Sequence, residues 1–166
     1  MTTPPIYVLD ANVFIEAARR YYAFDIAPAF WRALVEHAED GRLRSIDRVK
    51  DEIVRGNDEL KTWANSDFHE RFVPTTDEDV IEAYRRVIAW VHEQSQFNDA
   101  AKAEFADGAD GWVIAYAMAK ECVVVTHEQF NPDIRRKVPI PNVCREFGVQ
   151  HVDTFQMLRD LRVRLA

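Results

Sequence analysis

The chain has 166 residues, 48% of them hydrophobic, which is the size and composition of one globular domain with a substantial core. Its 28 acidic and 21 basic residues give a formal net charge of −7, which argues against a protein that covers nucleic acid or a membrane surface by bulk charge. Only two cysteines, Cys122 and Cys144, are present, so a disulfide scaffold is excluded. Without a signal-peptide pattern or a run of about 20 apolar residues for a membrane span, the sequence predicts a cytoplasmic location.

Short β-branched runs alternate with segments of helical period along the chain. Strands are predicted over residues 6–9, 43–46, 122–125 and 149–152, with a weaker candidate at residues 72–73. Helices are predicted around residues 30–38, ending at Gly41, over residues 80–91 after an N-cap at Thr76, over the apolar residues 112–119, and over residues 157–165 after Asp153 or Thr154. This alternation predicts one α/β domain over residues 1–166, with a central parallel sheet of about five strands flanked by helices in three layers.

Acidic residues follow three of the predicted strands. Asp10 comes directly after the first strand, Asp47 after the second, and Glu128 shortly after Val125. Ligands of parallel α/β sheets bind beyond the carboxyl ends of the strands, so these positions are candidates for a site. Asp10 and Asn12 also fit the simpler interpretation of helix caps.

Two further acids lie on predicted helices. Glu52 falls beside the buried face formed by Val49 and Ile53, where a boundary residue with a packed stem is the alternative. Asp110 begins the apolar helix, where its carboxylate would also be stabilised by the helix dipole. Asp107, three residues earlier, competes for the same role.

The acids occur in a distinctive order within VLDANVFIEA, SIDRVKDEI and DGWVIAYAMAKECVVVTHE. Thr126 follows Asp110 by sixteen residues, and an acid stands two residues later. This series resembles the PIN-domain nucleases, which include the VapC-type toxins of bacterial toxin–antitoxin pairs. The segments VTHE, KVPIPNVC and FGV are similar to one bacterial PIN-like subgroup. The chain departs from the pattern at Glu128, where many PIN domains have Asp or Asn, and at Gly111, where the subgroup has Pro.

The resemblance implies a PIN-like fold, metal-dependent hydrolysis of RNA phosphodiesters and the role of a toxin. The implied ligands of one or two Mg²⁺ or Mn²⁺ ions are Asp10, Glu52, Asp110 and Glu128. Both ions prefer carboxylate and water oxygens, and a pair of them activates water and stabilises the leaving oxygen. Asn12 and Thr126 are candidates for orienting a carboxylate or a bound water. An antitoxin protein and a second copy of the chain are the implied partners.

Other functions stay open at this point. They are a PIN-type nuclease that acts on DNA or in RNA processing, and an inactive PIN-like module that binds RNA or protein. The five histidines lack the spacing of a zinc site, and no glycine-rich phosphate loop is present.

The C-terminal part of the chain has a different charge from the rest. From Gln129 onward, seven basic residues stand against four acidic ones, a net charge of +3, so the first 128 residues carry −10. Arg135, Arg136 and Lys137 lie together in a proline-containing loop after the last candidate ligand. They are candidate contacts for an RNA phosphate backbone, and a solvated loop is the alternative.

Overall fold

The computed structural model describes residues 3–166. Its strands are β1 (Tyr7–Leu9), β2 (Leu43–Ile46), β3 (Phe72–Val73), β4 (Val123–Val125) and β5 (His151–Val152). Its α-helices are α1 (Ala11–Glu16), α2 (Pro28–Glu39), α3 (Asp47–Val54), α4 (Glu59–Ser66), α5 (Glu78–Glu93), α6 (Asp99–Asp107), α7 (Asp110–Lys120), α8 (Ile140–Phe147) and α9 (Thr154–Asp160). A π-helical turn (Ala17–Tyr21) continues α1, and a short 3₁₀ turn (His69–Arg71) precedes β3.

The five strands form one parallel sheet in the order β3-β2-β1-β4-β5. Tyr7 in β1 pairs with Leu43 on one side and with Val123 on the other. After β1 the chain therefore adds β2 and β3 on one side of this central strand, and then adds β4 and β5 on the other side. In parallel sheets such a reversal opens a crevice beyond the carboxyl ends of the central strands. Asp10 lies at that point.

The central strands β1 and β4 were predictable because they are buried on both faces. Val8, Leu9, Val124 and Val125 have no solvent exposure, which is typical of a parallel sheet covered by helices. Helix α7 packs against β1, β2 and β4, and its middle residues are buried, as expected from its apolar sequence. Its outer residue Trp112 is only half-buried.

Two of the predicted helix ends are wrong. Helix α5 has Asp77 rather than Thr76 as its N-cap, and the Asp77 carboxylate forms an ion pair with Lys120 at 3.0 Å. Helix α9 ends at Asp160 because Arg162 adopts the left-handed backbone conformation, with φ of +57°, and Leu165 is exposed. The N-cap of α9 is Asp153, whose carboxylate accepts a hydrogen bond from the Gln156 amide at 2.8 Å.

Both cysteines are buried as free thiols, Cys122 just before β4 and Cys144 within α8. Burial raises the pKa of Cys144 to about 12, so it packs as a small apolar side chain. No helix in residues 3–166 has the length and apolar character needed to span a membrane.

Candidate active site

Asp10 combines a structural role with an unsatisfied oxygen. It is fully buried at the N-cap of α1, where Oδ1 accepts a hydrogen bond from the Val13 amide at 3.0 Å. The expected capping role is therefore present. Its second oxygen, Oδ2, is also buried and has no hydrogen-bond partner among the described residues. Burial raises the pKa of Asp10 to about 7, because an ionised carboxylate without a partner is poorly solvated there.

Asp110 lies in the same crevice as Asp10. It is the first residue of α7, but its side chain does not cap the helix, whose N-cap is Ala109. Burial, together with the charges of Glu128, Asp10 and Glu52, raises the pKa of Asp110 to about 8. Asp107 is exposed and is not among the carboxylates that act on Asp110.

Glu52 reaches the crevice from α3, and its neighbour Asp51 is exposed, as predicted. Glu52 Oε1 accepts a hydrogen bond from the Ala109 amide at 2.8 Å, so the side chain fixes the start of α7. A Cβ placed on Gly108 would lie 3.4 Å from the same oxygen, which shows how closely the backbone approaches Glu52.

Glu128 is held by the loop that follows it. Its Oε1 accepts a hydrogen bond from the Ile140 amide at 2.8 Å, at the first residue of α8. Its Oε2 lies 3.0 Å from Lys137 Nζ, and the Glu128 side chain is only 11% exposed. The Glu128 amide donates to Thr126 Oγ1 at 3.1 Å, and Thr126 is buried close enough to Asp10 to lower the pKa of that carboxyl against the effect of burial. Thr126 therefore lies beside Asp10 and fixes the backbone of Glu128, not its carboxylate.

A cavity of about 290 Å³ opens beside these carboxylates. Its polar lining comprises Asn12, Glu52, Arg55, Glu104, Asp107, Asp110 and Lys137. Asn12 is exposed to the cavity, whereas Asp10 takes its hydrogen bond from Val13. Sequence reasoning missed Arg55 and Glu104. Arg55 follows Glu52 by about one helical turn, a spacing that could have placed it beside that candidate ligand, whereas no local pattern marks Glu104.

The carboxylates do not form a ready-made coordination sphere. Among residues 3–166, no three His, Cys, Asp or Glu side chains converge closely enough to count as a preformed metal site. Glu52 and Glu128 each direct one oxygen at a backbone amide instead. The chemistry of the donors nevertheless fits a hard divalent cation, since all four are carboxylates and Asp10 Oδ2 is buried without a partner.

The structure separates the three basic residues of the loop. Arg135 and Arg136 are exposed and form no ion pair with the described residues. Lys137 instead turns toward the cavity. Against the lowering effect of burial, the Glu128, Asp110 and Glu104 carboxylates raise the pKa of Lys137.

Backbone contacts fix the loop in place. Asn131 and Asn142 are joined by two hydrogen bonds of 3.0 and 2.7 Å, and the Asn98 amide donates to the Arg135 carbonyl at 2.9 Å. The basic side chains are therefore presented from a defined backbone beside the cavity.

His127 lies between Thr126 and Glu128 in the chain but points away from them. Its Nε2 is 2.8 Å from Thr154 Oγ1, and its ring packs against Tyr21 and Phe155 at centroid distances of 5.7 and 5.9 Å. Packing and the contact with Thr154 account for this histidine.

A family model described as "Domain of unknown function (DUF4411)" matches residues 7–165. The chain belongs to this family. No curated protein matches this DUF4411 chain. The family description names no activity, so the site geometry and the fold carry the functional argument.

Solved structures show which fold the DUF4411 chain shares. FitAcB from Neisseria gonorrhoeae is 18% identical with a TM-score of 0.51, and the match covers 88% of this chain and 96% of that one. VapBC2 from Rickettsia felis, bound to a DNA fragment from their promoter, is 13% identical with a TM-score of 0.55, and the match covers 89% and 98%. The predicted α/β PIN-like fold, with five parallel strands between helices, is confirmed.

Proposed function

We propose that the chain is a metal-dependent endoribonuclease and the toxin of a toxin–antitoxin pair. The observation that carries the proposal is Asp10 Oδ2, a buried carboxylate oxygen without a hydrogen-bond partner at the switch point of a PIN-like sheet. Three other carboxylates interact with it or with its neighbour Asp110. Such a group of acids is costly without a cation, because burial and the charges of Glu128, Asp10 and Glu52 together raise the pKa of Asp110.

Asp10, Glu52, Asp110 and Glu128 would hold one or two Mg²⁺ or Mn²⁺ ions. Bound ions of this kind supply an activated water and stabilise the leaving oxygen of a phosphodiester. Asp10 follows β1, and Asp110 is the first residue of α7. Thr126 holds the Glu128 backbone beside Asp10. Asn12 faces the cavity and is placed to orient a water or a substrate oxygen.

RNA binding is proposed at the loop that carries Arg135 and Arg136. Both guanidinium groups are exposed and lack acidic partners among residues 3–166, so they are available to phosphates. Because the chain as a whole is acidic, this local contact favours a narrow path for the nucleic acid over a broad basic surface.

A protein partner is proposed from the resemblance to VapC-type toxins. An antitoxin would hold the enzyme inactive, and a homodimer is a second proposed assembly. The PIN-like fold shared with VapBC2 and FitAcB is consistent with this role.

Cleavage of total RNA with mapped ends tests the activity. With Mg²⁺ or Mn²⁺, wild type is expected to cut at defined positions, whereas Asp10→Asn and Asp110→Asn lose the cleavage. Asp51→Asn is the matched control, since Asp51 is exposed on the same helix as Glu52. If the Asp10 and Asp110 variants cleave at the wild-type rate, the proposal is wrong.

The same preparation separates the other functions. Cleavage of single-stranded or duplex DNA in preference to RNA would indicate a DNA nuclease. Binding of RNA without cleavage at any metal concentration would indicate an inactive module.

A further inference from the structure

Lys137 occupies an unusual place in the candidate site. Its Nζ lies 3.0 Å from Glu128 Oε2, and it lines the same cavity as Glu52 and Asp110. Among the residues that line this cavity, Arg55 is the other cation. A cationic side chain therefore already stands among the carboxylates that are proposed to bind metal.

We infer that Lys137 is the resident cation of this site, which neutralises Glu128 in the metal-free protein and competes with a divalent ion for that carboxylate. The inference rests on the proposed metal site. Lys137 pairs with Glu128 before an ion binds and is displaced from it when an ion binds.

The two oxygens of Glu128 show why the competition is direct. Oε1 is engaged by the Ile140 amide, which fixes the start of α8. Only Oε2 is left without a backbone donor, and that is the oxygen that Lys137 faces. A divalent ion at Oε2 would need the oxygen that the ammonium group now approaches at 3.0 Å, and two positive charges at one carboxylate oxygen repel each other.

The Lys137 side chain can move away from Glu128 without unfolding of the loop. Its side chain is 47% exposed, so the ammonium group can rotate about a flexible stem toward solvent. The loop backbone is held independently by the Asn131–Asn142 pair and by the Arg135 carbonyl. Once displaced from Glu128, the ammonium group would be in the same loop as the guanidinium groups of Arg135 and Arg136, where a substrate phosphate would be its new partner.

Metal loading and substrate binding are coupled by this movement. A phosphate that binds Lys137 removes the competitor from Glu128, so substrate is expected to tighten metal binding, and metal is expected to tighten substrate binding by the same factor.

Metal titration of Lys137→Met without substrate tests the inference. Isothermal titration of metal-free protein with Mn²⁺ is run above the pKa of Asp110, which is about 8, so that protons do not compete for the carboxylates. Lys137→Met is expected to bind Mn²⁺ about fivefold more tightly than wild type, the effect of one partly exposed ion pair. Its metal-free melting temperature is expected to fall, since the carboxylates lose their counter-ion.

Two further variants control for charge and for folding. Arg136→Met removes a positive charge from the same loop but not from the cavity, so its Mn²⁺ affinity is expected to stay within about twofold of wild type. Lys137→Arg keeps the charge and is expected to bind Mn²⁺ like wild type; if Lys137→Met does not fold, Lys137→Gln replaces it.

The outcomes distinguish this inference from the proposed function. If wild type binds no Mn²⁺, the proposed metal site fails. If wild type binds Mn²⁺ but Lys137→Met binds it equally or more weakly, the metal site stands and the role of Lys137 as a competing cation is overturned. If Arg136→Met gains as much Mn²⁺ affinity as Lys137→Met, the role of Lys137 as a competing cation is also overturned.

Discussion

Glu52 and Ala109, 57 residues apart, are joined by a hydrogen bond of 2.8 Å from the Ala109 amide to Glu52 Oε1. The bond fixes the residue that precedes Asp110, so one candidate ligand positions the next. It also gives Glu52 a structural role that is separable from its charge.

Substitutions at Glu52 are expected to separate these roles. Glu52→Gln keeps an oxygen that accepts from Ala109 but lacks the negative charge, so cleavage is expected to fall by at least about a hundredfold while the melting temperature stays near that of wild type. Glu52→Ala also leaves the amide unpaired, which costs about 1–3 kcal/mol and lowers the melting temperature by several degrees. Thermal unfolding and RNA cleavage measure the two effects, with Asp51→Asn as control. Equal melting temperatures for the Ala and Gln variants would contradict the structural role.

The stability of the metal-free protein is expected to fall as the pH rises from 5 toward 8. Burial raises the pKa of Asp10 to about 7 and that of Asp110 to about 8, from a usual value of 3.8. In this range the unfolded chain has released protons that the folded chain retains, so folding is penalised progressively until the folded carboxyls also ionise. Asp110→Asn is expected to flatten the decline by up to about 1.4 kcal/mol per pH unit. A wild-type decline no steeper than that of the variant would show that Asp110 is ionised in the folded protein.

Addition of Mn²⁺ is expected to stabilise the protein most at high pH, where the carboxyls of Asp10 and Asp110 are free of protons. A metal concentration about a hundredfold above the dissociation constant adds about 2.7 kcal/mol of stability. Differential scanning calorimetry with and without Mn²⁺ measures the effect. Asp10→Asn retains the capping oxygen and is expected to fold but to lose most of the metal response. Equal stabilisation of this variant and wild type would show that the ion binds elsewhere.

Arg135→Ala and Arg136→Ala are each expected to weaken RNA binding and to reduce the slope of binding against salt concentration by about one. The measurement uses Asp110→Asn protein, so that cleavage does not interfere. Arg85→Ala, which removes an exposed arginine paired with Glu82 on α5, is the control. An unchanged salt slope in both loop variants would leave Arg135 and Arg136 as ordinary solvated residues.

Gly111→Ala is expected to lower stability by up to about 2 kcal/mol, because an overpacking cost of about 1–3 kcal/mol exceeds the gain of about 1 kcal/mol from alanine in a helix. A Cβ at this position would lie 3.1 Å from ring atoms of both Phe105 and Tyr84, and the Tyr84 ring is stacked on Trp112 at 3.7 Å. These rings fill the space that a larger residue would need, which gives a physical reason for glycine where the resembling subgroup has proline. Urea unfolding measures the change, and a more stable variant would show that the rings move aside at little cost.

The positions of the strands along the chain and the acids at their ends could be predicted because both depend on local sequence. Val8 and Val124 lie in runs apolar on both faces, and Asp10 follows its strand directly. The sequence could not decide between capping and ligand binding at Asp10, because both place an acid at the same junction. Thr76 was mistaken for the cap of α5 for a related reason: Asp77 next to it is an equally good N-cap, and only its pairing with Lys120 distinguishes the two.

Contacts between elements that are distant in the chain could not be predicted from the sequence. Glu104 on α6 and Glu52 on α3 line one cavity although the two helices are far apart in the chain. Lys137 is adjacent to Arg135 and Arg136 in the sequence, but of these three residues only Lys137 forms an ion pair, with Glu128. The Ile140 amide donates to the same glutamate, so the end of the loop is held beside it.

The central position of β1, between β2 and β4, also bears on when activity can first arise during synthesis. Asp10 and Glu52 are translated early, whereas Asp110 and Glu128 emerge after the long excursion through three helices. A nascent chain that lacks β4 cannot complete the sheet beside β1, so Glu128 cannot join the other carboxylates before the ribosome has passed it. For the proposed ribonuclease, a nascent chain that ends before Glu128 is therefore expected to be inactive toward the ribosome and the messenger that produce it.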